Sequence, residues 1–287
     1  MTKPIYIISD LHIGNHGKRD NFNADSTRWD KLMSFLSFVK KNKGKLYILG
    51  DLFDLWQHNI SEVLCHPKNR QIIKKLGSMD CTYILGNHDT DLYNFIKSTS
   101  YFSRCKLFKN MTSVPIETNV QMNKFVFNVL LQHGHEYDKL NSRTYPGFAR
   151  IACIGAGILE DRYGISVFGK QTEGVILAIA EWIKHPINSI FGAITRKLIK
   201  TPRTSLGRAK KILKKASESL LSHDIVVIGH THTPGMISNG DSIFVNSGSW
   251  ADMENNVVCI EETGIHVHNW NGKELVATVN RLEKLKI

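Results

Sequence analysis

Five times along this chain a short, mainly apolar run is followed, after one intervening residue, by aspartate, asparagine or histidine. Asp10 and His12 follow Ile5 to Ile8, Asp51 and Asp54 follow Lys45 to Leu49, and Asn87, His88 and Asp89 follow Thr82 to Leu85. His133 and His135 follow Phe125 to Leu131, and His230 and His232 follow Ile225 to Ile228. Short apolar runs bounded by turn formers read as buried strands. Ligand-type residues at the carboxyl ends of several strands converge on one rim of an α/β sheet, where such folds build their sites. The recurrence restricts the chain to a layered α/β fold with one site rich in Asp, Asn and His.

The spacing within each cluster suits metal binding. In Asp10-Leu11-His12 an extended backbone would point residues i and i+2 the same way, so both reach one ion while Leu11 packs inward. The same is expected of His230-Thr231-His232. Gly50, Gly86, Gly134 and Gly229 each adjoin a candidate ligand, permitting tight turns or close backbone approach. Mixed Asp, Asn and His ligation suits Mn²⁺, Fe or Zn²⁺ better than Ca²⁺. A lone Gly-Asn-His-Asp would be only a turn, since Asn and Asp favour turns. Five such clusters in order, each directly after a β-like run, are not explained that way.

The rest of the chain fills in the α/β pattern. Trp29 to Asn42 carries Leu32, Phe35, Leu36 and Val39 at helical spacing and is expected to end at Gly44; a second helix is expected around Asn69 to Leu76. Further strands are expected at Ser242 to Asn246, Val257 to Ile260 and Gly264 to Asn269. Between Leu140 and Ser222 the strand signal disappears and apolar residues interleave with basic ones, as in Ile183 to Ile199 and Leu206 to Leu221. We read 1–287 as one domain with a helical, basic cap inserted at 139–203, after which the Leu206 helix returns the chain to the sheet. Lys139 to Lys215 holds 15 Lys and Arg against 4 acidic residues, an excess equal to the net charge of the whole chain, +11. Charge so localised points to a local anionic partner.

Other classes are disfavoured. The longest uncharged apolar stretch, Ile151 to Leu159, falls far short of the roughly 20 residues a spanning helix needs. The chain enters a strand pattern at once, so a cytoplasmic location without an export leader is expected. Its 5 cysteines are odd in number, scattered and without a C-x-x-C pair, which fits reduced thiols rather than a disulfide framework.

Together, Asp10-x-His12, Gly50-Asp51-x-x-Asp54, Gly86-Asn87-His88-Asp89, His133-Gly134-His135 and Gly229-His230-x-His232 resemble the motif set of the calcineurin-like metallophosphoesterases. The resemblance implies a four-layer αββα sandwich with a dinuclear centre. By it, Asp10, His12, Asp51 and His232 would hold one ion, and Asp51, Asn87, His133 and His230 the other. Two cations about 4 Å apart acidify a shared water, direct it at phosphorus and stabilise the oxygens that gain charge. His88 would stabilise the transition state or protonate the leaving oxygen, with Asp89 fixing its orientation. Asp54 would hold a ligand or water from behind, and His135 would either support a ligand or face the substrate. Mn²⁺ is the expected metal, with Fe or Zn²⁺ as alternatives.

Protein phosphatases of this family typically show Gly-Asp-x-Val-Asp-Arg-Gly, whereas this chain has Gly50-Asp51-Leu52-Phe53-Asp54-Leu55-Trp56. That segment resembles the branch containing UDP-diacylglucosamine pyrophosphatase, as do His133-Gly134-His135-Glu136-Tyr137-Asp138 and Asn246-Ser247-Gly248-Ser249-Trp250. The lipid A enzymes often carry Arg at the position of His88 and Asp at that of His135. The resemblance implies a lipid-linked or nucleotide-linked diphosphate as substrate, with the cap as a lid. Arg196, Lys197, Lys200 and Arg203 would then meet the diphosphate, and the cap would touch an anionic membrane surface peripherally. The same basic residues could neutralise nucleic-acid phosphates, which makes a nuclease the rival reading. A noncatalytic scaffold of this fold is the third, although such descendants tend to lose the ligands and histidine that are all present here.

Overall fold

Strands β1 (Ile5–Ile8), β2 (Lys45–Leu49) and β3 (Cys81–Ile84) are parallel neighbours. Parallel strands need crossover connections, and here these are helices: α1 (Arg28–Lys41), then α2 (Ile60–Cys65) with α3 (Pro67–Gly77). Helices α4 (Asp91–Ser98) and α5 (Lys106–Lys109) lead to β4 (Met111–Thr112), parallel to β3. A second sheet is built from β5 (Ile116–Met122), β6 (Phe125–Leu131), β7 (Ile225–Ile228), β8 (Gly235–Asn239) and β9 (Ser242–Asn246). Its order is β5-β6-β7-β9-β8, with β6, β7 and β9 parallel. The chain then returns to the first sheet as an antiparallel meander, β10 (Asn256–Glu261), β11 (Gly264–Trp270) and β12 (Leu275–Ala277). That sheet runs β12-β11-β10-β1-β2-β3-β4. The computed structural model describes residues 3–17, 20–98, 105–138, 205–216, 219, 222–239, 241–252 and 254–280. The expected cap at 139–203, with Arg196, Lys197, Lys200 and Arg203, lies outside the described residues.

Side-chain alternation sorts the strands into layers. Tyr6, Ile8, Leu46 and Ile48 face α1 and α3, packing with Leu32, Phe35, Leu36, Ile72 and Leu76. Their neighbours Ile7, Tyr47, Leu49 and Ile84 face the second sheet, where they meet Val129, Leu131, Ile225, Val227 and Val245. The far face of that sheet, with Leu130, Val226, Ile228 and Phe244, is covered by Ala209, Ile212 and Ala216 of α6 (Ser205–Ala216). The layers therefore run helices, sheet, sheet, helix: the αββα sandwich. Strands buried on both faces must be apolar throughout, which is why β1, β2 and β7 show unbroken runs.

The expected end of α1 needs revision. Lys43, at φ 51°, is the left-handed residue that turns the chain out of the helix. Gly44 donates its N–H to Val39 O at 3.0 Å and lies under the Tyr6 ring, where a Cβ would collide. Its smallness serves packing rather than the turn. Among the described residues no helix is long and apolar enough to cross a membrane.

Candidate metal centre

The loops leaving β1, β2, β3, β6 and β7 meet at one rim, and their backbones there are strained. Asp10 (φ 54°), His12 (φ 50°), Asp51 (φ 52°), His230 (φ 64°) and His232 (φ 54°) are all left-handed. Such conformations cost about 1–3 kcal/mol each away from glycine and persist only where the surroundings over-determine them. The restraints are visible. Asp10 N donates to Gly50 O at 3.1 Å and His12 N to Asp51 O at 2.9 Å, lacing the first two loops together. Asp10 O accepts from Trp250 N at 3.1 Å, Ala251 N at 3.0 Å and Ser249 Oγ at 3.0 Å. Asn246 Nδ2 donates to Gly229 O at 2.8 Å and to Thr231 Oγ1 at 2.9 Å, fixing the loop of His230 and His232. The extended backbone expected for Asp10-Leu11-His12 is thus replaced by two left-handed residues, while Leu11 is buried as expected.

Three overlapping groups of ligand-type side chains result; the third, His12 with Asp54 and His88, shares His12 with the first. In the first, Asp10 Oδ1 lies 3.2 Å from His232 Nε2 and 3.9 Å from His12 Nε2, and the two Nε2 atoms are 3.4 Å apart. In the second, His133 Nε2 lies 3.3 Å from Asp51 Oδ2 and 3.1 Å from Asn87 Oδ1, and Asp51, His133 and His230 bring ligand atoms within 4.8 Å of one another. Asp51 stands between these two groups, because the same Oδ2 is 3.7 Å from His12 Nε2. His230 and His232 belong to different groups, so the expectation that this pair serves one ion does not hold. Gly86 and Gly229 supply the room: a Cβ on Gly86 would fall 2.6 Å from Asp51 N, and one on Gly229 2.6 Å from Asp10 Oδ2.

Partners behind the rings select which nitrogen faces the centre. His133 Nδ1 donates to Leu49 O at 2.6 Å, leaving Nε2 toward Asp51 and Asn87. His232 Nδ1 meets Asp252 Oδ2 at 2.9 Å, leaving Nε2 toward Asp10. For His230 it is Nε2 that meets Asp138 Oδ2, at 3.1 Å.

The donor set fits divalent cations. Asp10 Oδ1 is buried and accepts no well-formed hydrogen bond, a costly state for a carboxylate oxygen unless a cation meets it. Burial would lower the pKa of His133, yet the Asp51 carboxylate outweighs it and lifts the imidazole to about 10. Burial likewise opposes the charge on His232, but Asp10 and Asp252 raise its pKa well above the ordinary value. The Asp10 carboxyl, which burial alone would raise, is held at about 2 by His232. His12 is pushed down to about 4 by burial and then by His88, so it is neutral and ready to ligate near pH 7.

His88 sits beside the first group, its ring edge-on to His12 at 4.6 Å and stacked on Trp56 at 3.9 Å and 22°. Its Nδ1 is 3.0 Å from Asp54 Oδ1. Asp54, and not Asp89, is therefore the carboxylate in contact with the His88 ring. Asp89 turns inward instead, accepting from Leu52 N at 2.8 Å, Gly86 N at 2.7 Å and the Tyr83 hydroxyl, and so ties the loop after β3 to that after β2. The His135 ring lies 5.3 Å from that of His133 and 6.4 Å from that of His230, with a buried Nδ1 that lacks a hydrogen-bond partner among the described residues. Sequence reasoning missed Asp252, Asp138, Trp56 and Ser9, whose hydroxyl bonds to Asp10 Oδ2 and lies 2.7 Å from Ser247 Oγ. Asp138 and Trp56 lie inside strings already conspicuous in the sequence, whereas Asp252 and Ser9 leave no local signal.

The family model described as calcineurin-like phosphoesterase matches residues 3–234. The UDP-2,3-diacylglucosamine hydrolase of Blochmanniella pennsylvanica (strain BPEN) is 25% identical over 244 residues, covering 81% of this chain and 80% of that protein. That of Wigglesworthia glossinidia brevipalpis is 27% identical over 150 residues, covering 50% and 51%. Among solved structures, Yfce, a phosphoesterase from E. coli, matches with a TM-score of 0.44 at 13% identity, over 97% of this chain and 99% of that one.

Proposed function

This chain belongs to the calcineurin-like phosphoesterase family and is a metal-dependent phosphoester hydrolase; from that premise we propose that it splits the pyrophosphate bond of a UDP-2,3-diacylglucosamine-type lipid nucleotide at a dinuclear centre. The observation that carries the reading is Asp51, one carboxylate oxygen lying 3.7 Å from His12 Nε2 and 3.3 Å from His133 Nε2, one ring from each ligand group. The substrate class rests on the two similar hydrolases that bear that name. Asp10, His12, Asp51 and His232 would hold one ion and Asp51, Asn87, His133 and His230 the other, with Mn²⁺ the metal to test first. Bound ions supply Lewis-acid charge at the phosphoryl oxygens and a water that ionises near neutral pH.

The remaining steps fall to the side chains. Asp54 fixes His88 through Nδ1, which leaves Nε2 to give a proton to the leaving oxygen. Burial opposes a charge on His88, but Asp51 and then Asp54 outweigh it and raise its pKa, which favours the protonated ring. Asp89 braces the loops from within, and His135 faces the substrate beside the second group. Arg196, Lys197, Lys200 and Arg203 of the cap would bind the diphosphate, and the basic cap would rest on anionic lipid.

Trp56 covers one face of His88, and an aromatic stack of that kind is worth about 0.5–1.5 kcal/mol. Trp56→Ala is therefore expected to lower kcat about threefold to tenfold, and Trp56→Phe, which keeps a ring there, to restore most of it. Steady-state kinetics of the two variants on one substrate checks this.

The function itself is tested with a substrate panel in Mn²⁺: acylated UDP-glucosamine, plain nucleotide diphosphates, cyclic nucleotides and oligonucleotides. Release of a nucleoside monophosphate from the acylated substrate, abolished by a chelator, is expected to dominate. Preferential cleavage of oligonucleotides would establish the nuclease instead, and an ion-loaded protein that cleaves nothing would be a scaffold.

A further inference from the structure

The loop after β9 carries an acidic residue that the ligand set does not include. Asp252 Oδ2 lies 2.9 Å from His232 Nδ1, on the side of the ring opposite the nitrogen that faces Asp10 Oδ1 at 3.2 Å and His12 Nε2 at 3.4 Å. The loop holding Asp252 is built onto the ligand loop itself. Ser249 Oγ donates to Asp10 O at 3.0 Å and accepts from Ala251 N at 3.0 Å, while Trp250 N and Ala251 N also donate to Asp10 O. From the other side the buried Arg28, first residue of α1, donates Nη2 to Asp252 O at 2.6 Å. Its Nη1 meets Asn21 O at 2.7 Å and Phe22 O at 3.1 Å. A guanidinium spent on three main-chain carbonyls, one of them that of Asp252, fixes the backbone on which the carboxylate stands.

We infer that Asp252 is a positioning residue of the metal centre, accepting a hydrogen bond from His232 Nδ1–H and so aiming Nε2 at the space shared with Asp10 and His12. The inference rests on the proposal that Asp10, His12 and His232 hold an ion. His232 needs such a guide more than His133 does. His133 is wholly buried, with Leu49 O at 2.6 Å, whereas the His232 side chain is 31% exposed. Carboxylates that hold a ligating imidazole from behind are typically worth about 10-fold to 100-fold in metal affinity.

The test compares Asp252→Ala, Asp252→Asn and Asp25→Asn with wild type. Each protein is titrated with Mn²⁺ against a competing chelator, and kcat is then measured as a function of Mn²⁺. Asp252 is largely exposed, so its variants are expected to fold. Asp252→Ala should weaken one of the two ions about 10-fold to 100-fold and leave the other unchanged, with kcat recovering at high Mn²⁺. Asp252→Asn, which still offers an acceptor oxygen, should recover most of the affinity. Asp25 lines the same cleft beside Arg28 and Asp252 but bonds to Thr27 and Lys31, so Asp25→Asn reports the effect of charge alone and should match wild type. Unchanged affinity in Asp252→Ala, or an equal loss in Asp25→Asn, overturns the inference while the dinuclear reading stands. A wild type that takes up no Mn²⁺ overturns both.

Discussion

Asp51→Asn is expected to lower turnover by about 10³-fold or more and to leave the protein folded. The substitution keeps the size of the side chain and an oxygen for the His88 N–H, which donates to Asp51 Oδ1 at 2.9 Å. It removes the one negative charge that faces both ligand groups through His12 and His133. An ion supplies several kcal/mol of transition-state stabilisation, and a loss of about 4 kcal/mol is about 10³ in rate. Metal analysis should show less than the wild-type content. A second readout needs no ion. In the metal-free wild type, burial opposes the charge on His133 but Asp51 lifts its pKa from 6.5 to about 10. A histidine whose folded pKa exceeds its unfolded value contributes stability that is full below the unfolded pKa and is lost as pH rises through the folded one. Chelated wild type should therefore lose stability between about pH 6.5 and about pH 10, and the variant should lose less over that interval. Turnover within tenfold of wild type, or identical pH profiles of melting temperature, would remove Asp51 from the bridging position.

The sequence disclosed what local chemistry determines. Strands β1, β2, β6, β7 and β9 were read with their observed boundaries; in β1 and β7, burial on both faces of a two-sheet sandwich demands continuous apolar runs. Strand β5, Ile116-Glu-Thr-Asn-Val-Gln-Met, escaped notice because it lies at a sheet edge, where Glu117, Asn119 and Gln121 can face water. The edge strands β4 and β12 were missed for want of length, and β8, Gly235-Met-Ile-Ser-Asn, because its ends are turn-forming residues. Within the site, Asp and His after a strand are conspicuous, so the residues that gather at the rim were legible. Their backbone was not, since a left-handed Asp10 is imposed by hydrogen bonds from the separate loops after β2 and β9. The supporting carboxylates were obscure for the same reason. Adjacency suggested that Asp89 serves His88, but consecutive side chains leaving a strand diverge, and it is Asp54, 34 residues earlier, that reaches the ring.

That exchange of partners yields a second large effect. His88→Ala should reduce kcat by about 10²–10⁴-fold, the range for loss of a positioned proton donor, with metal content unchanged because Asn87 and its contact with His133 are untouched. Asp54→Asn removes the charge at His88 Nδ1 but keeps an acceptor, and should cost about 10-fold to 100-fold, as orienting partners generally do. The decisive comparison is the double variant. If Asp54 acts only through His88, then once the ring is gone its own replacement has nothing left to disturb, and the pair should be no slower than His88→Ala alone. If the losses multiply, Asp54 has work of its own, and its oxygen within reach of His12 as well as His88 would make it a participant in the ion site. Near-normal turnover in His88→Ala would instead leave the leaving oxygen to be protonated by water, and the stack of Trp56 on that ring would be packing and nothing more.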